Sequence, residues 1–133
     1  MKRASCACGQ LSISLVGEPR YVLACHCREC QKATGSLFGV STYWSKESVS
    51  GITGESTQFT RRTDSGGTLT HHFCSTCGGR VYRYASFYPA GIGVAYGGFD
   101  TTDLPRPTDE YWTQRRHDRC GFTYPIVQHV GDD

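Results

Sequence analysis

The segment Cys74-Ser75-Thr76-Cys77-Gly78 places two cysteines on either side of two residues and follows them with a glycine. A tight turn brings thiolates at this spacing together, and the glycine permits the positive φ that such a turn often requires. Cys6-Ala7-Cys8, near the start of the chain, has the other common spacing, because residues i and i+2 of an extended segment point the same way. A closed zinc site that ties the first strand to a distant hairpin is therefore predicted on four thiolates: Cys6, Cys8, Cys74 and Cys77.

A second segment, Cys25-His26-Cys27-Arg28-Glu29-Cys30, contains three cysteines. Three protein ligands and an open fourth position are typical of catalytic zinc sites. His26 lies between two cysteines that share a face, so its ring is expected to point away from the ion and to pack or form a hydrogen bond. We therefore expect a second, open zinc site with three catalytic ligands: Cys25, Cys27 and Cys30.

The sulfur content of this open site indicates its chemistry. Three thiolates bring the formal charge of a zinc site to about −1, which makes the ion a weaker Lewis acid than one held by neutral histidines. A soft site of this kind favours a fourth sulfur over hydroxide. The ligands therefore favour an enzyme that binds a thiol cosubstrate as thiolate and holds it for attack on an electrophile, or for release from an adduct.

The remaining cysteine leaves other interpretations open. Cys120 could close the second group into a four-thiolate site, and the protein would then be a non-catalytic zinc scaffold or binding module. A three-cysteine motif can also carry an iron–sulfur cluster. A Cys120→Ser substitution separates the open site from the closed one, because only a closed site would lose zinc.

Length and charge limit the class of protein. A chain of 133 residues, of which 38% are hydrophobic, predicts a single zinc-binding domain over residues 1–133. The net charge of +2 comes with only isolated basic doublets, Arg61-Arg62 and Arg115-Arg116, which argues against nucleic-acid binding. No apolar run follows residues 1–6, and the uncharged stretch 84–99 contains a proline and four glycines, so neither a signal peptide nor a membrane span is expected. We therefore expect a cytoplasmic protein with small-molecule partners, whose reduced thiols bind metal.

The regular signals along the chain are mostly those of strands. Apolar and polar residues alternate over residues 10–15, as in a half-buried strand. One short helix over residues 29–34 is expected to end at Gly35, and residues 109–114 are a weaker helix candidate. Further strands are predicted over residues 21–24, 37–44, 58–60, 68–73, 80–84 and 92–96.

Other side chains are candidates for packing or substrate binding. His71 and His72 are neighbours in a predicted strand, so at most one is expected to point inward. Four aromatic residues are expected mainly to pack in the sheet: Tyr82, Tyr84, Phe87 and Tyr88. The carboxylates of a thiol cosubstrate could be held by a set of basic or polar residues: Arg28, Lys32, Ser36 and the two arginine doublets.

The cysteine segments and their surroundings resemble the glutathione-dependent formaldehyde-activating enzyme family, which also includes centromere protein V. The resemblance covers about residues 4–116. It is carried by Ser5-Cys6-Ala7-Cys8-Gly9, by residues 25–32 with Gly35 and Phe38, by residues 73–78, and by Gly98-Phe99-Asp100.

The resemblance implies a β-tent fold of small antiparallel sheets and two Zn²⁺ ions per chain. It implies the same two ligand sets that the spacings predict, with a structural zinc on the first group and a catalytic zinc on the second. It further implies a carbon–sulfur lyase activity that joins glutathione, or another thiol, to formaldehyde. The centromere relative also suggests chromatin or microtubule association, but the sequence lacks the extended basic segment expected for it.

Overall fold

The computed structural model describes residues 1–132, which form eleven strands, one α-helix and three short 3₁₀ turns. The strands and the helix, in chain order, are β1 (Lys2–Ser5), β2 (Ser12–Leu15), β3 (Tyr21–Cys25), α1 (Arg28–Thr34), β4 (Gly39–Ser45), β5 (Val49–Thr53), β6 (Ser56–Arg62), β7 (Thr68–Cys74), β8 (Arg80–Ala85), β9 (Gly91–Ala95), β10 (Asp109–Tyr111) and β11 (Val127–Gln128). The 3₁₀ turns are Lys46–Ser48, Tyr96–Gly98 and Thr113–Arg115. Within these residues, no helix has both the length and the apolar character needed to cross a membrane.

The strands form two sheets. The smaller has the order β1-β2-β5 and is antiparallel throughout. The larger has the order β11-β10-β3-β4-β9-β8-β7-β6. Its pairs are antiparallel except at one end, where β10 runs parallel to both β3 and β11. This arrangement confirms the predicted mostly-β class with one short helix.

The hydrophobic core lies between the two sheets. Leu11, Ile13 and Leu15 are fully buried, as the alternation over residues 10–15 predicts. Burying an aliphatic side chain of this size stabilises the fold by about 1.5–3 kcal/mol. The larger sheet adds Trp44, Val81, Ile92 and Val94 to the same cluster, which also includes Cys6 and Cys74. The first cysteine group is therefore continuous with the core.

The face of the larger sheet that points away from the core carries three polar side chains and a glycine in one row across the strands. The strand register aligns Tyr43, Gly93, Arg83 and His71 across β4, β9, β8 and β7. A Cβ atom at Gly93 would lie 3.0 Å from Arg83 Cγ and 3.0 Å from Tyr43 Cε1. The glycine therefore leaves room for Arg83 to cross β9, where its Nε donates a hydrogen bond of 2.9 Å to Tyr43 Oη.

Residues 109–114 do not form the helix that was considered from sequence. Residues 109–111 form β10, which pairs in parallel with residues 23–25 of β3. Trp112 then adopts a left-handed conformation with φ 55° before a 3₁₀ turn. The expectation was wrong because pairing with β3 satisfies the backbone and buries the side chain of Glu110, a tertiary contact that local pattern does not reveal.

Candidate metal centres

The β1–β2 turn and the β7–β8 turn bring the first cysteine group together. The sulfur atoms of Cys6, Cys8, Cys74 and Cys77 all lie within 4.8 Å of one another. Cys8 Sγ lies 3.7 Å from Cys6 Sγ and 3.6 Å from Cys74 Sγ. Tetrahedral thiolates at the usual Zn–S distance of about 2.3 Å are about 3.8 Å apart, so the group fits a zinc ion. Gly78 closes the second turn with φ 78°.

Backbone amides surround the sulfur atoms of this group. The Leu11 amide donates to Cys6 Sγ at 3.3 Å, and the amides of Thr76 and Cys77 donate to Cys74 Sγ at 3.3 and 3.4 Å. Hydrogen bonds, the strongest of them from the Cys77 amide, lower the pKa of Cys74 to about 5. Because these amides stabilise the thiolate, they also prepare the sulfur to bind a cation.

The second cysteine group forms where β3 leads into α1. Cys25 is the last residue of β3, Cys27 is the N-cap of α1, and Cys30 lies in the first turn of the helix. Their sulfur atoms lie within 4.8 Å of one another. Cys27 Sγ accepts a hydrogen bond from the Cys30 amide at 3.3 Å. The helix ends at Gly35 with φ 66°, so the predicted short helix with a glycine cap is confirmed.

Within residues 1–132, no fourth His, Cys, Asp or Glu side chain joins the second group. Cys120 is half-buried but is not part of it. Hydrogen bonds from Cys25 and Cys30 lower the pKa of Cys27 to about 2, and the hydrogen bond with Cys27 raises the pKa of Cys25. Three soft donors suit a zinc ion that takes its fourth ligand from outside the protein.

His26 points away from both neighbouring cysteines. Its ring is completely buried, with Nε2 2.9 Å from Oε1 of Glu110 and the ring centroid 5.2 Å from that of Phe38. Its backbone amide donates to the Tyr111 carbonyl at 3.0 Å, and its own carbonyl accepts from Gln31 Nε2 at 2.8 Å. These contacts hold the loop that carries the second cysteine group.

Two cavities adjoin the second cysteine group. The smaller has a volume of about 330 Å³ and the larger a volume of about 550 Å³. The two share five lining residues: Cys25, Glu29, Cys30, Arg61 and Arg83. Two concave spaces that meet at one candidate metal-binding loop could hold two small molecules at once.

Each cavity also has lining residues of its own. The smaller is lined by Arg80 and His71 in addition to the shared residues. The larger includes Cys27 and a set of basic and aromatic side chains: Arg28, Arg115, Tyr43, Phe87, Tyr111 and Trp112. Arginines therefore outnumber carboxylates in the smaller cavity, whereas the larger one combines aromatic walls with side chains of both charges, since Asp64 and Asp132 also line it.

Both histidines of β7 are buried, whereas at most one was expected to point inward. They do alternate faces, but each face of β7 is covered. His71 lines the smaller cavity, and His72 stacks on Tyr82 with ring centroids 4.5 Å apart. Burial, together with the charges of three nearby arginines, lowers the pKa of His71 to about 3, so its imidazole is neutral at pH 7.

The structure separates the residues that were considered for binding substrate carboxylates. Arg28, Arg61 and Arg115 line a cavity at the second cysteine group. Others line neither of the two cavities: Lys32, Ser36, Arg62 and Arg116. Sequence reasoning missed Arg80 and Arg83, which belong to β8 and line the smaller cavity.

Comparisons with known proteins agree with this geometry. A model of the glutathione-dependent formaldehyde-activating enzyme family matches residues 1–115. A Rhodobacter sphaeroides protein of known crystal structure has a similar fold, with a TM-score of 0.59 and 19% sequence identity over 76% of this chain and 90% of that chain. No curated protein matches the chain. Because the family match covers most of the sequence, the chain belongs to the glutathione-dependent formaldehyde-activating enzyme family.

Proposed function

We propose that the protein is a zinc-dependent carbon–sulfur lyase that acts on a thiol cosubstrate, glutathione or a similar thiol, and a small aldehyde or other electrophile. Family membership suggests a role related to glutathione and formaldehyde. The observation that carries the proposal is the second cysteine group, in which three sulfurs lie beside two cavities and no fourth protein ligand joins them within residues 1–132.

The two cysteine groups are assigned different roles. The first group connects the β1–β2 turn to the β7–β8 turn, so we assign it a structural zinc on Cys6, Cys8, Cys74 and Cys77. The second group is the catalytic one, with Cys25, Cys27 and Cys30 as ligands. When bound there, zinc would keep an incoming thiol ionised near neutral pH.

The larger cavity is assigned to the thiol cosubstrate. Its volume of about 550 Å³ is in the usual range for small-molecule sites. Arg28 and Arg115 line it and can pair with the carboxylates of a peptide thiol. Tyr111 and Trp112 supply apolar walls that exclude water from the reacting sulfur.

The addition needs neither an oxidant nor a reductant. A bond forms between the thiol sulfur and the carbonyl carbon, and the π electrons of the carbonyl move to its oxygen. That oxygen takes up the proton that the thiol released, and the reverse reaction follows the same steps. Arg61 and Arg83 lie beside the sulfur cluster in both cavities and can stabilise the negative oxygen as it forms.

The alternative of a closed scaffold is not favoured, because Cys120 lies outside the second group. A Cys27→Ser variant is expected to lose one zinc equivalent and the lyase activity, and Cys120→Ser is expected to keep both. Metal analysis of the two purified variants measures their zinc content, and assays of glutathione addition to formaldehyde measure their activity.

Cobalt substitution tests the thiol assignment directly. Added glutathione is expected to change the visible absorption of the cobalt protein, because sulfur becomes a ligand of the ion. The proposal fails if glutathione binds the metal-free and metal-loaded proteins equally well, or if Cys120→Ser loses a zinc equivalent.

A further inference from the structure

The smaller cavity contains more positive charge than its own groups neutralise. Arg61, Arg80 and Arg83 line it, and Glu29 is the only carboxylate among its lining residues within residues 1–132. Three thiolates on a divalent ion add one net negative charge. About one positive charge is therefore left unmatched in a space of about 330 Å³, and an anionic ligand would offset it.

The three guanidinium groups have hydrogen-bonding capacity to spare. In the part of the chain that the structure describes, none of them lies within 4.0 Å of a carboxylate. Arg83 uses Nε to bond Tyr43, which leaves the two terminal nitrogens of its guanidinium. Arg61 makes one long bond of 3.4 Å to a neighbouring backbone carbonyl. Guanidinium groups placed in this way are suited to bind a planar carboxylate through paired hydrogen bonds.

His71 gives an independent indication that a ligand belongs in the smaller cavity. Its side chain is buried and lines this cavity, and its Nε2 atom has no hydrogen-bond partner among residues 1–132. Buried polar atoms in proteins nearly always have a partner. An oxygen atom of a bound ligand would supply the hydrogen-bond partner that Nε2 of His71 lacks.

Given the proposed function, on which this inference rests, the geometry points to an electrophile that is itself an anion: an aldehyde that carries a carboxylate group. The carboxylate binds in the smaller cavity, where Arg80 and Arg61 hold it. The carbonyl carbon of the aldehyde group lies next to the second cysteine group, and the thiol enters from the larger cavity. Formaldehyde has no carboxylate for these arginines to bind.

The reaction balances as for any aldehyde. The thiol sulfur forms a bond to the aldehyde carbon, the carbonyl π electrons move to oxygen, and the oxygen takes the proton lost by the thiol. The carboxylate stays intact, and no further reactant is needed.

Arg80 is the residue to test, because it lines the smaller cavity and not the larger one. The probe is glyoxylate, a carboxylate-bearing aldehyde, and its neutral counterpart is glycolaldehyde. Calorimetry on the zinc-loaded, thiol-free protein is expected to show tighter binding of glyoxylate. Arg80→Gln is expected to weaken glyoxylate binding by about tenfold or more and to leave glycolaldehyde binding unchanged.

Two further variants separate charge from structure. Arg80→Lys retains the positive charge and should recover part of the glyoxylate affinity. Arg62→Gln alters an exposed arginine of β6 that lines neither cavity, and should behave as wild type. Thermal unfolding of each variant confirms that it is folded before binding is compared.

The outcomes distinguish this inference from the proposed function. If wild type binds both aldehydes equally, or if Arg80→Gln changes glyoxylate binding no more than glycolaldehyde binding, the inference is overturned, and addition of glutathione to formaldehyde would still support the proposed function. If glutathione adds to neither glyoxylate nor formaldehyde, the proposed function is wrong, and so is the inference that a carboxylate-bearing aldehyde is the electrophile. A selective loss of glyoxylate binding in Arg80→Gln would then show only that the smaller cavity binds anions.

Discussion

Nε2 of His26 lies 2.9 Å from Oε1 of Glu110, and neither side chain has meaningful contact with solvent. His26 separates two cysteines of the second group, and Glu110 is the middle residue of β10. The second carboxylate oxygen of Glu110 accepts a hydrogen bond from Gln128 Nε2 at 3.2 Å and lies 3.7 Å from Arg116 Nη1. The loop that carries the second cysteine group is therefore anchored to the β10–β11 strand pair through one carboxylate.

Replacing Glu110 is expected to weaken both the fold and the second metal site. Glu110→Ala leaves the buried His26 Nε2 without a partner, which should lower the free energy of unfolding by about 2 kcal/mol or more. Loss of a contact that holds the loop carrying the second cysteine group should also weaken zinc binding by about tenfold or more. Urea unfolding and competition with a chelator measure the two effects. Glu47→Gln, an exposed carboxylate in a 3₁₀ turn, should change neither.

The two cysteine groups are expected to differ in their effect on stability. The first group joins turns that are far apart in sequence, whereas the second lies within residues 25–30. Metal at the first group therefore restrains a much longer loop of the unfolded chain. Cys77→Ser should lower the unfolding temperature far more than Cys27→Ser, although each variant loses one zinc equivalent. Equal loss of stability in the two variants would contradict the structural role of the first group.

Gly93 is expected to tolerate no side chain. A methyl group there would lie 3.0 Å from both Arg83 Cγ and Tyr43 Cε1. Gly93→Ala should lower the free energy of unfolding by about 1–3 kcal/mol, and should lower kcat/KM by about tenfold or more because Arg83 is displaced. Gly97→Ala is the matched control, since no atom lies within 4 Å of its Cβ position. If Gly93→Ala retains full activity, Arg83 does not act as proposed.

The buried His71 is expected to make stability depend on pH. Its pKa is lowered from 6.5 to about 3 in the folded protein. Between these values the unfolded chain binds a proton that the folded protein does not, so the free energy of unfolding falls as the pH falls. In His71→Gln this contribution is absent, and the decline should be shallower.

Urea unfolding of wild type and His71→Gln between about pH 5 and pH 7.5 measures that difference. Release of zinc from the cysteines in acid affects both proteins, so the comparison isolates the histidine. Parallel pH curves for the two proteins would show that His71 is free to take up a proton in the folded state.

Much of the fold follows from local pattern. The alternation over residues 10–15, the strand that leads into the second cysteine group and the glycine after α1 all appear in the structure where they were expected. Cys6-Ala7-Cys8 was expected in an extended segment but lies in the β1–β2 turn. Strands β1 and β5 were missed because their segments show no clear alternation of apolar and polar residues, and they are strands only because they pair with β2. β10 was mistaken for a helix because its partner strand lies far away in sequence.

The cysteine groups were easier to predict than the cavities beside them. Cysteine spacing is a local property of the sequence, and it leads directly to a set of candidate ligands. Arg80 and Arg83, in contrast, both line the smaller cavity only because the pairing of β7 and β8 is irregular. Strict alternation along β8 would place these arginines on opposite faces. The register shift between His72 and Phe73 lets both line the smaller cavity, and no feature of the sequence indicates where such a shift occurs.

The two cavities that share Arg61 and Arg83 have a kinetic consequence. Because each cavity has its own lining, thiol and aldehyde need not compete for one space, and neither has to leave before the other arrives. A ternary complex should form, and double-reciprocal plots of initial velocity at several fixed concentrations of the second reactant should intersect rather than run parallel.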